Sequence, residues 1–208
     1  MTIDEIRKMA EEKGNRLSVK DFTKKKYEWI MAIDPDVDRS GCCLLRINDP
    51  QNPDPKDTVI WAGTYTFPQL VDRFTNGALH IGVNEVLIVI EGGWLNTKSC
   101  FHEAQGRRAE RVAKNVGANQ QTGKLLAEMA EHIGYKVEIV KPLVKTGSGH
   151  DRKLTTEDLK MFIPNMPHNR LNQDARDAIR LAWHVAGFSE DNNKQLIKKI
   201  CRNGEEGK

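Results

Sequence analysis

Four carboxylates stand where regular structure could gather them. Asp34 ends an apolar run, Trp29-Ile30-Met31-Ala32-Ile33, that reads as a buried strand, and Glu91 ends another, Val86-Leu87-Ile88-Val89-Ile90. If the two strands are parallel neighbours, both acids emerge at one sheet edge, outside the carboxyl ends where open α/β sheets build their ligand crevices. Taken singly, each acid reads equally well as the start of an ordinary turn. Asp174 and Asp177 lie three apart on one face of a helix beginning near Asn172, close to its positive end, where acids are favoured for structural reasons alone. Brought together, these groups repel. Unless they take up protons they call for cations, and hard oxygen donors favour magnesium or manganese.

Spacing removes the competing chemistries. His102-Glu103 would open a zinc-protease helix motif, but Gly106 stands where the second histidine is needed. Gly117 through Gly123-Lys124 imitates a phosphate loop, yet five residues separate the glycines and Leu125 replaces the hydroxyl. His80, His132, His168 and His184 show no ligand spacing. Cys42 and Cys43 are adjacent while Cys100 and Cys201 stand alone, which is neither a disulfide framework nor a zinc site, so they read as packing residues.

The elements that must position the acids follow from periodicity. Gly41 to Ile47 and Thr58 to Thr64 read as second and third strands, the proline-bearing loop Asp49 to Asp57 between them, and three successive strands suggest antiparallel pairing. Phe67, Leu70, Val71 and Phe74 recur at helical spacing, with Asn76-Gly77 as the stop. Glu85 to Ile90 is the wholly apolar central strand. Two helices are expected next, Glu103 to Lys114 and Lys124 to Ile133, the latter with Leu125, Leu126, Met129, Ala130 and Ile133 on one face and Gly134 as its stop. Lys136 to Val140 is a fifth strand. A basic, glycine-bearing loop from Lys145 to Lys153 leads to a helix opened by Thr155-Thr156-Glu157-Asp158, and the last strong helix runs from about Asn172 through Ala186. This order describes an α/β fold: a five-stranded mixed sheet, three antiparallel strands then two parallel, with helices on both faces.

Residues 1–26 read as a polar extension with a weak helical stripe at Ile3, Ile6 and Met9, and residues 189–208 as a basic tail with one short helix around Leu196 to Ile200. At 208 residues, 38% hydrophobic and 29% charged, the chain has material for one core. Its longest aliphatic run falls far short of the roughly 20 residues of a membrane span. The acidic N-terminus, Met1-Thr2-Ile3-Asp4-Glu5, lacks the order of a secretory signal, so a cytoplasmic protein is expected. Net charge is only +3, leaving basic clusters to be judged by their distribution.

Ala32-Ile33-Asp34-Pro35-Asp36-Val37-Asp38-Arg39-Ser40-Gly41 resembles the opening strand and turn of RuvC-type Holliday-junction resolvases, an Asp-Pro turn with a glycine seven positions after the aspartate. Glu91 after Val86 to Ile90 is similar to the family's second acid, and Asp174-Ala175-Arg176-Asp177-Ala178-Ile179-Arg180-Leu181-Ala182 to its C-terminal acidic helix. Val116-Gly117 to Lys141-Pro142 and Thr146-Gly147-Ser148-Gly149 to Lys153 resemble its helix-strand segment and its basic loop. The likeness spans about residues 28 to 187. It implies a ribonuclease H-like nuclease domain, here residues 27–188, working as a homodimer on branched DNA by magnesium-dependent phosphodiester hydrolysis, with manganese as a substitute and two ions per site. By position, Asp34, Glu91, Asp174 and Asp177 would hold the metals and Lys153 would stand near the scissile phosphate. Trp94, three residues past Glu91, matches an aromatic that stacks on junction bases; it also reads as a partly buried core tryptophan.

Backbone contacts to DNA are expected from Lys141, Lys145, Arg152 and Lys153, with Arg107, Arg108 and Lys114 as a second basic surface. Asp36 departs from the family pattern, which has glycine there; it either adds a ligand, alters the turn or faces solvent, and Asp38 is a weaker extra candidate. Two other readings stay open. One is a ribonuclease H-like nuclease for flaps, hybrids or replication intermediates; the other is a non-catalytic nucleic-acid-binding dimer.

Overall fold

The computed structural model describes residues 27–51, 54, 56, 58–75, 81–96, 106–145, 147–161, 163, 166 and 171–188. The expected extension 1–26, the stop at Asn76-Gly77, Cys100, Cys201, His102-Glu103 and the tail 189–208 lie outside these residues.

Five strands form one sheet in the order β3-β2-β1-β4-β5. They are β1 (Trp29–Asp34), β2 (Ser40–Ile47), β3 (Thr58–Tyr65), β4 (Val86–Glu91) and β5 (Lys136–Val140). The first three pair antiparallel, whereas β4 runs parallel to β1 and β5 parallel to β4. The helices are α1 (Phe67–Thr75), α2 (Gly106–Ile133), α3 (Thr156–Lys160) and α4 (Gln173–Val185). Strands β1 and β4 are apolar on both faces because each face is covered. Ile30, Ala32, Leu87 and Val89 pack under α4, while Met31, Ile33, Val86, Ile88 and Ile90 pack under α1 and α2. Cys42 and Cys43 are buried free thiols, one on each face, as expected of packing residues.

The two helices expected between Glu103 and Ile133 are one continuous helix of 28 residues. Gly117 weakens a helix by about 1 kcal/mol relative to alanine but does not stop it, and no proline intervenes. The Thr122 hydroxyl donates to the Ala118 carbonyl at 3.0 Å and Lys114 pairs with Glu110 at 3.0 Å, both within the helix.

Helix α4 starts where its cap residue predicts. Asn172 accepts from the Ala175 amide at 3.1 Å, satisfying one of the unpaired donors of the first turn. Ala175, Ala178, Ile179, Ala182 and Trp183 face the sheet, and the three alanines let the helix axis lie close to β2. Helix α3 opens on a capping box in which Thr155 and Asp158 serve each other's backbone amides. Among the described residues no helix is long and apolar enough to cross a membrane.

Candidate active site

Side-chain alternation decides where the strand acids point. Ile30 and Ala32 in β1, and Leu87 and Val89 in β4, face α4, so Asp34 and Glu91, two residues further on, face the same side. Parallel pairing of Ile33 with Ile90 puts both carboxylates at the same end of the sheet. Helix α4 enters at that end with Asp174 and Asp177 in its first two turns. Two close approaches set this geometry. A Cβ on Gly41 of β2 would lie 2.0 Å from the Asp174 carbonyl oxygen, and one on Gly123 of α2 would lie 2.9 Å from the Pro35 ring and 2.8 Å from Trp94. Only hydrogen at these positions lets α4 and α2 close on the Asp-Pro turn.

The result is a cleft of about 660 Å³ lined by Asp34, Glu91, Trp94, Lys145, Asp177 and Arg180 among others. Burial, then the charge of Glu91 and a hydrogen bond with it, then the charges of Asp177 and Asp174, push the Asp34 carboxyl up to about 9. Asp174 is raised by burial and by the neighbouring Asp36 and Asp177, with Lys153 and Arg176 working against the shift. Asp177 is also raised by burial; the Gln173 amide, Lys145 and Arg180 pull it down, and Glu91 pushes it up. The four acids therefore share one electrostatic neighbourhood. Among the described residues, however, no group of three or more His, Cys, Asp or Glu side chains is arranged so that it could hold a metal ion.

Lysines flank this neighbourhood at two points. Lys145 lines the cleft beside Asp177, and Lys153, exposed and outside the lining, lies near Asp174. The loop carrying Lys153 is closed by the Gly147 amide donating to Arg152 and the Gly149 amide to Lys153, at 2.9 and 3.0 Å, and Asp158 accepts from the Ser148 amide at 2.9 Å. Lys141 and Arg152 are exposed and do not line the cleft, and Arg107, Arg108 and Lys114 are exposed along the start of α2. Trp94 sits half-buried on the turn Gly93–Leu95, packed on the core with the Lys124 ammonium 5.7 Å from its ring centroid. The core-tryptophan reading accounts for most of its surface, while one edge reaches the cleft.

Asp36 is a turn residue. Its carboxylate accepts from the Asp38 amide at 2.9 Å, the Arg39 amide at 3.3 Å and the Asn119 side-chain amide at 3.0 Å, and Asn119 in return accepts from the Val37 amide at 2.9 Å. The aspartate thus pins the turn to α2. Asp38 is exposed. Sequence reasoning also missed the side chains that orient Asp177. Arg176 donates to the Leu154 and Leu171 carbonyls and to Gln173, which donates onward to Asp177 at 2.9 Å. Their spacing of three and four along one helix was the available signal. Arg180, buried one turn beyond Asp177, was likewise given no role.

By sequence the chain matches no family model and no curated protein. Among solved structures it is similar to RuvC from Thermus thermophilus in complex with a Holliday-junction substrate, at 12% identity and a TM-score of 0.44 over 75% of this chain and 90% of that one. It is similar too to Thermus thermophilus RuvC in a second structure, at 14% identity and 0.45 over 76% and 96%. Fowlpox virus resolvase with its substrate Holliday-junction DNA is a third, at 13% and 0.41 over 76% and 97%. The strand order 3-2-1-4-5, three antiparallel strands followed by two parallel ones with helices on both faces, is the feature that decides the architecture. The fold is ribonuclease H-like. In this sheet the ends of β1 and β4 and the start of α4 form one edge, which is where the four acids lie.

Proposed function

We propose that the protein is a magnesium-dependent endodeoxyribonuclease that resolves four-way DNA junctions as a homodimer. What supports this reading is the gathering of Asp34, Glu91, Asp174 and Asp177, from three separate stretches of chain, beside one cleft flanked by lysine and arginine. The donor set contains only carboxylate oxygens, and burial together with the neighbouring acids pushes the Asp34 carboxyl up to about 9. Both features fit a hard divalent cation, whose charge would offset the repulsion among the acids. Bound there, magnesium or manganese, two ions in the full site, would supply an activated water and stabilise the leaving oxygen.

The chain's own groups do the rest. Gln173, held by Arg176, fixes the orientation of Asp177. Lys145 and Lys153 offer positive charge to DNA phosphates on either side of the acids, which gives affinity without base specificity and suits recognition of branch shape. Lys153 beside Asp174 is assigned to the charge that builds on the scissile phosphate. Lys141 and Arg152 extend the phosphate track, and Trp94 offers its cleft edge to an unpaired base. Cutting two opposed strands symmetrically needs two such sites, hence a two-fold dimer.

The test is a labelled panel of four-way junction, linear duplex, flap and RNA–DNA hybrid, cut by wild type and Asp177→Asn with and without magnesium. Preference for the junction, lost in the variant and without metal, is expected. Equal or inverted preference reassigns the protein to the other ribonuclease H-like substrates, and magnesium-dependent cleavage untouched by Asp177→Asn removes the carboxylate assignment. Binding without any cleavage marks a non-catalytic DNA-binding protein.

A further inference from the structure

A second concave surface lies on the face of the sheet opposite the acids, running across β1, β2 and β3 from Trp29 to Tyr65. It is a groove of about 410 Å³ lined by Trp29, Met31, Cys42, Leu44, Trp61, Tyr65, Arg73 and Ile81. Among the described residues, α2 packs over β4 and β5 on that face, and Arg73 of α1 is the one helix residue that lines the groove over β2 and β3. Trp61 is consequently 49% exposed on the edge strand. Its ring stacks on Trp29 with centroids 5.9 Å apart and planes 19° from parallel. The Arg46 guanidinium lies 5.3 Å from the Trp29 ring, its Nε donating to Glu28 at 2.8 Å, and the Arg73 guanidinium lies 4.0 Å from the Tyr65 ring. None of the lining residues is acidic.

A large aromatic left half in water on an edge strand is an unfavourable use of apolar surface for a lone chain. Here it comes with guanidinium groups on both sides and an existing indole stack that a further flat ring would extend. Aromatic platforms edged by arginine favour a ligand that is planar, apolar on its face and anionic along its backbone. A nucleobase with its flanking phosphates has this chemistry. It can present its face only when unpaired, because in a duplex the face is already stacked.

We propose that this groove is a single-stranded DNA exosite, in which a base stacks on Trp61 and the neighbouring phosphates lie beside Arg73 and Arg46. The choice of DNA rests on the nuclease reading above; the stacking itself does not. The surface would hold unpaired strand at or beyond a branch while the acidic cleft acts elsewhere on the substrate.

The test uses the full chain in EDTA, so that nothing is cut, with a fluorescein-labelled 15-nucleotide oligothymidylate followed by anisotropy at low salt. Trp61→Ala should weaken binding about tenfold or more, and Trp61→Phe should restore affinity to within about threefold of wild type, since any flat ring can stack. Arg73→Gln should lower the salt dependence of binding by about 0.7 in log–log slope. All three lie outside the acidic cleft and should cut a short-armed junction in magnesium at the wild-type rate. Equal affinity of Trp61→Ala and wild type, or no oligonucleotide binding by wild type, overturns the proposal. So does a dimer that sedimentation finds in wild type but not in Trp61→Ala, with binding unchanged, because that assigns the groove to a second copy of the chain. Failure of wild type to cut any substrate would instead remove the nuclease reading and leave the binding comparison standing.

Discussion

Replacing Gly41 with alanine should disable the site without touching any charged group. The added methyl carbon would stand 2.0 Å from the Asp174 carbonyl oxygen and 2.3 Å from its carbonyl carbon, both backbone atoms that cannot rotate away. A carbon and an oxygen in contact need at least about 3.3 Å, so the start of α4 must retreat by about 1.3 Å or β2 must bend. Such overpacking costs about 1–3 kcal/mol, and the upper part of that range applies because backbone opposes backbone. For a chain of this size the melting temperature should fall by about 5–10 °C. The retreat moves Asp174 and Asp177 relative to Asp34 and Glu91, and a misplacement of about 1 Å is worth about 100-fold in rate. Thermal unfolding by circular dichroism, followed by single-turnover cleavage of a labelled junction, would measure both. Gly41→Ala with a wild-type melting curve and a wild-type rate would refute the packing argument, and with it the claim that this glycine sets the position of the acidic helix.

Gly117→Ala is the opposite case: nothing lies within 4 Å of the new methyl, and a mid-helix glycine becomes a better helix former, so stability should rise by about 1 kcal/mol in urea titrations with cleavage unchanged. Burial alone would raise the Asp158 carboxyl, but hydrogen bonds from Thr155 and Ser148 outweigh it and hold the group down to about 2. Its folded value lies below its unfolded one, so its contribution is present above about pH 4 and lost as pH falls toward about 2; Asp158→Ala should cost about 1 kcal/mol at pH 7 and less at pH 3. Asp34 runs the other way. With its carboxyl raised to about 9, metal-free wild type should lose stability as pH rises from about 4 to about 9, while Asp34→Asn lacks that slope; melting temperatures in EDTA across this range would show whether the slope belongs to Asp34.

Much of this site was legible because its acids sit at the ends of elements with strong periodic signals. The apolar runs ending at Asp34 and Glu91 read as buried strands, and Asn172 announced the start of α4 two residues before Asp174. The parallel pairing of β1 and β4, which makes neighbours of Asp34 and Glu91, was a condition in the sequence and is a fact in the structure. What stayed hidden depends on contacts between distant segments. Val116 to Thr122 looks like a break because glycine and polar residues interrupt the apolar stripe, yet Asn119 there clamps the Asp36 turn across 83 positions. Asp36 stood open in the sequence as an added ligand, a turn residue or a solvent-facing acid, since a sequence cannot show that its oxygens accept from backbone and Asn119. Arg180 is buried beside Asp177, a placement that the formal charges of the helix do not reveal. The packing role of Gly41 needed the position of the Asp174 carbonyl.

The central claim is that Asp34, Glu91, Asp174 and Asp177 bind a divalent cation in place of a proton. Isothermal titration of manganese into metal-free protein at pH 7.5, in buffers of different ionisation enthalpy, measures this without DNA. Saturable binding by wild type, with a proton released on binding, and its loss in Asp34→Asn are the predicted results. Absence of binding by wild type, or equal binding by Asp34→Asn, would contradict the account.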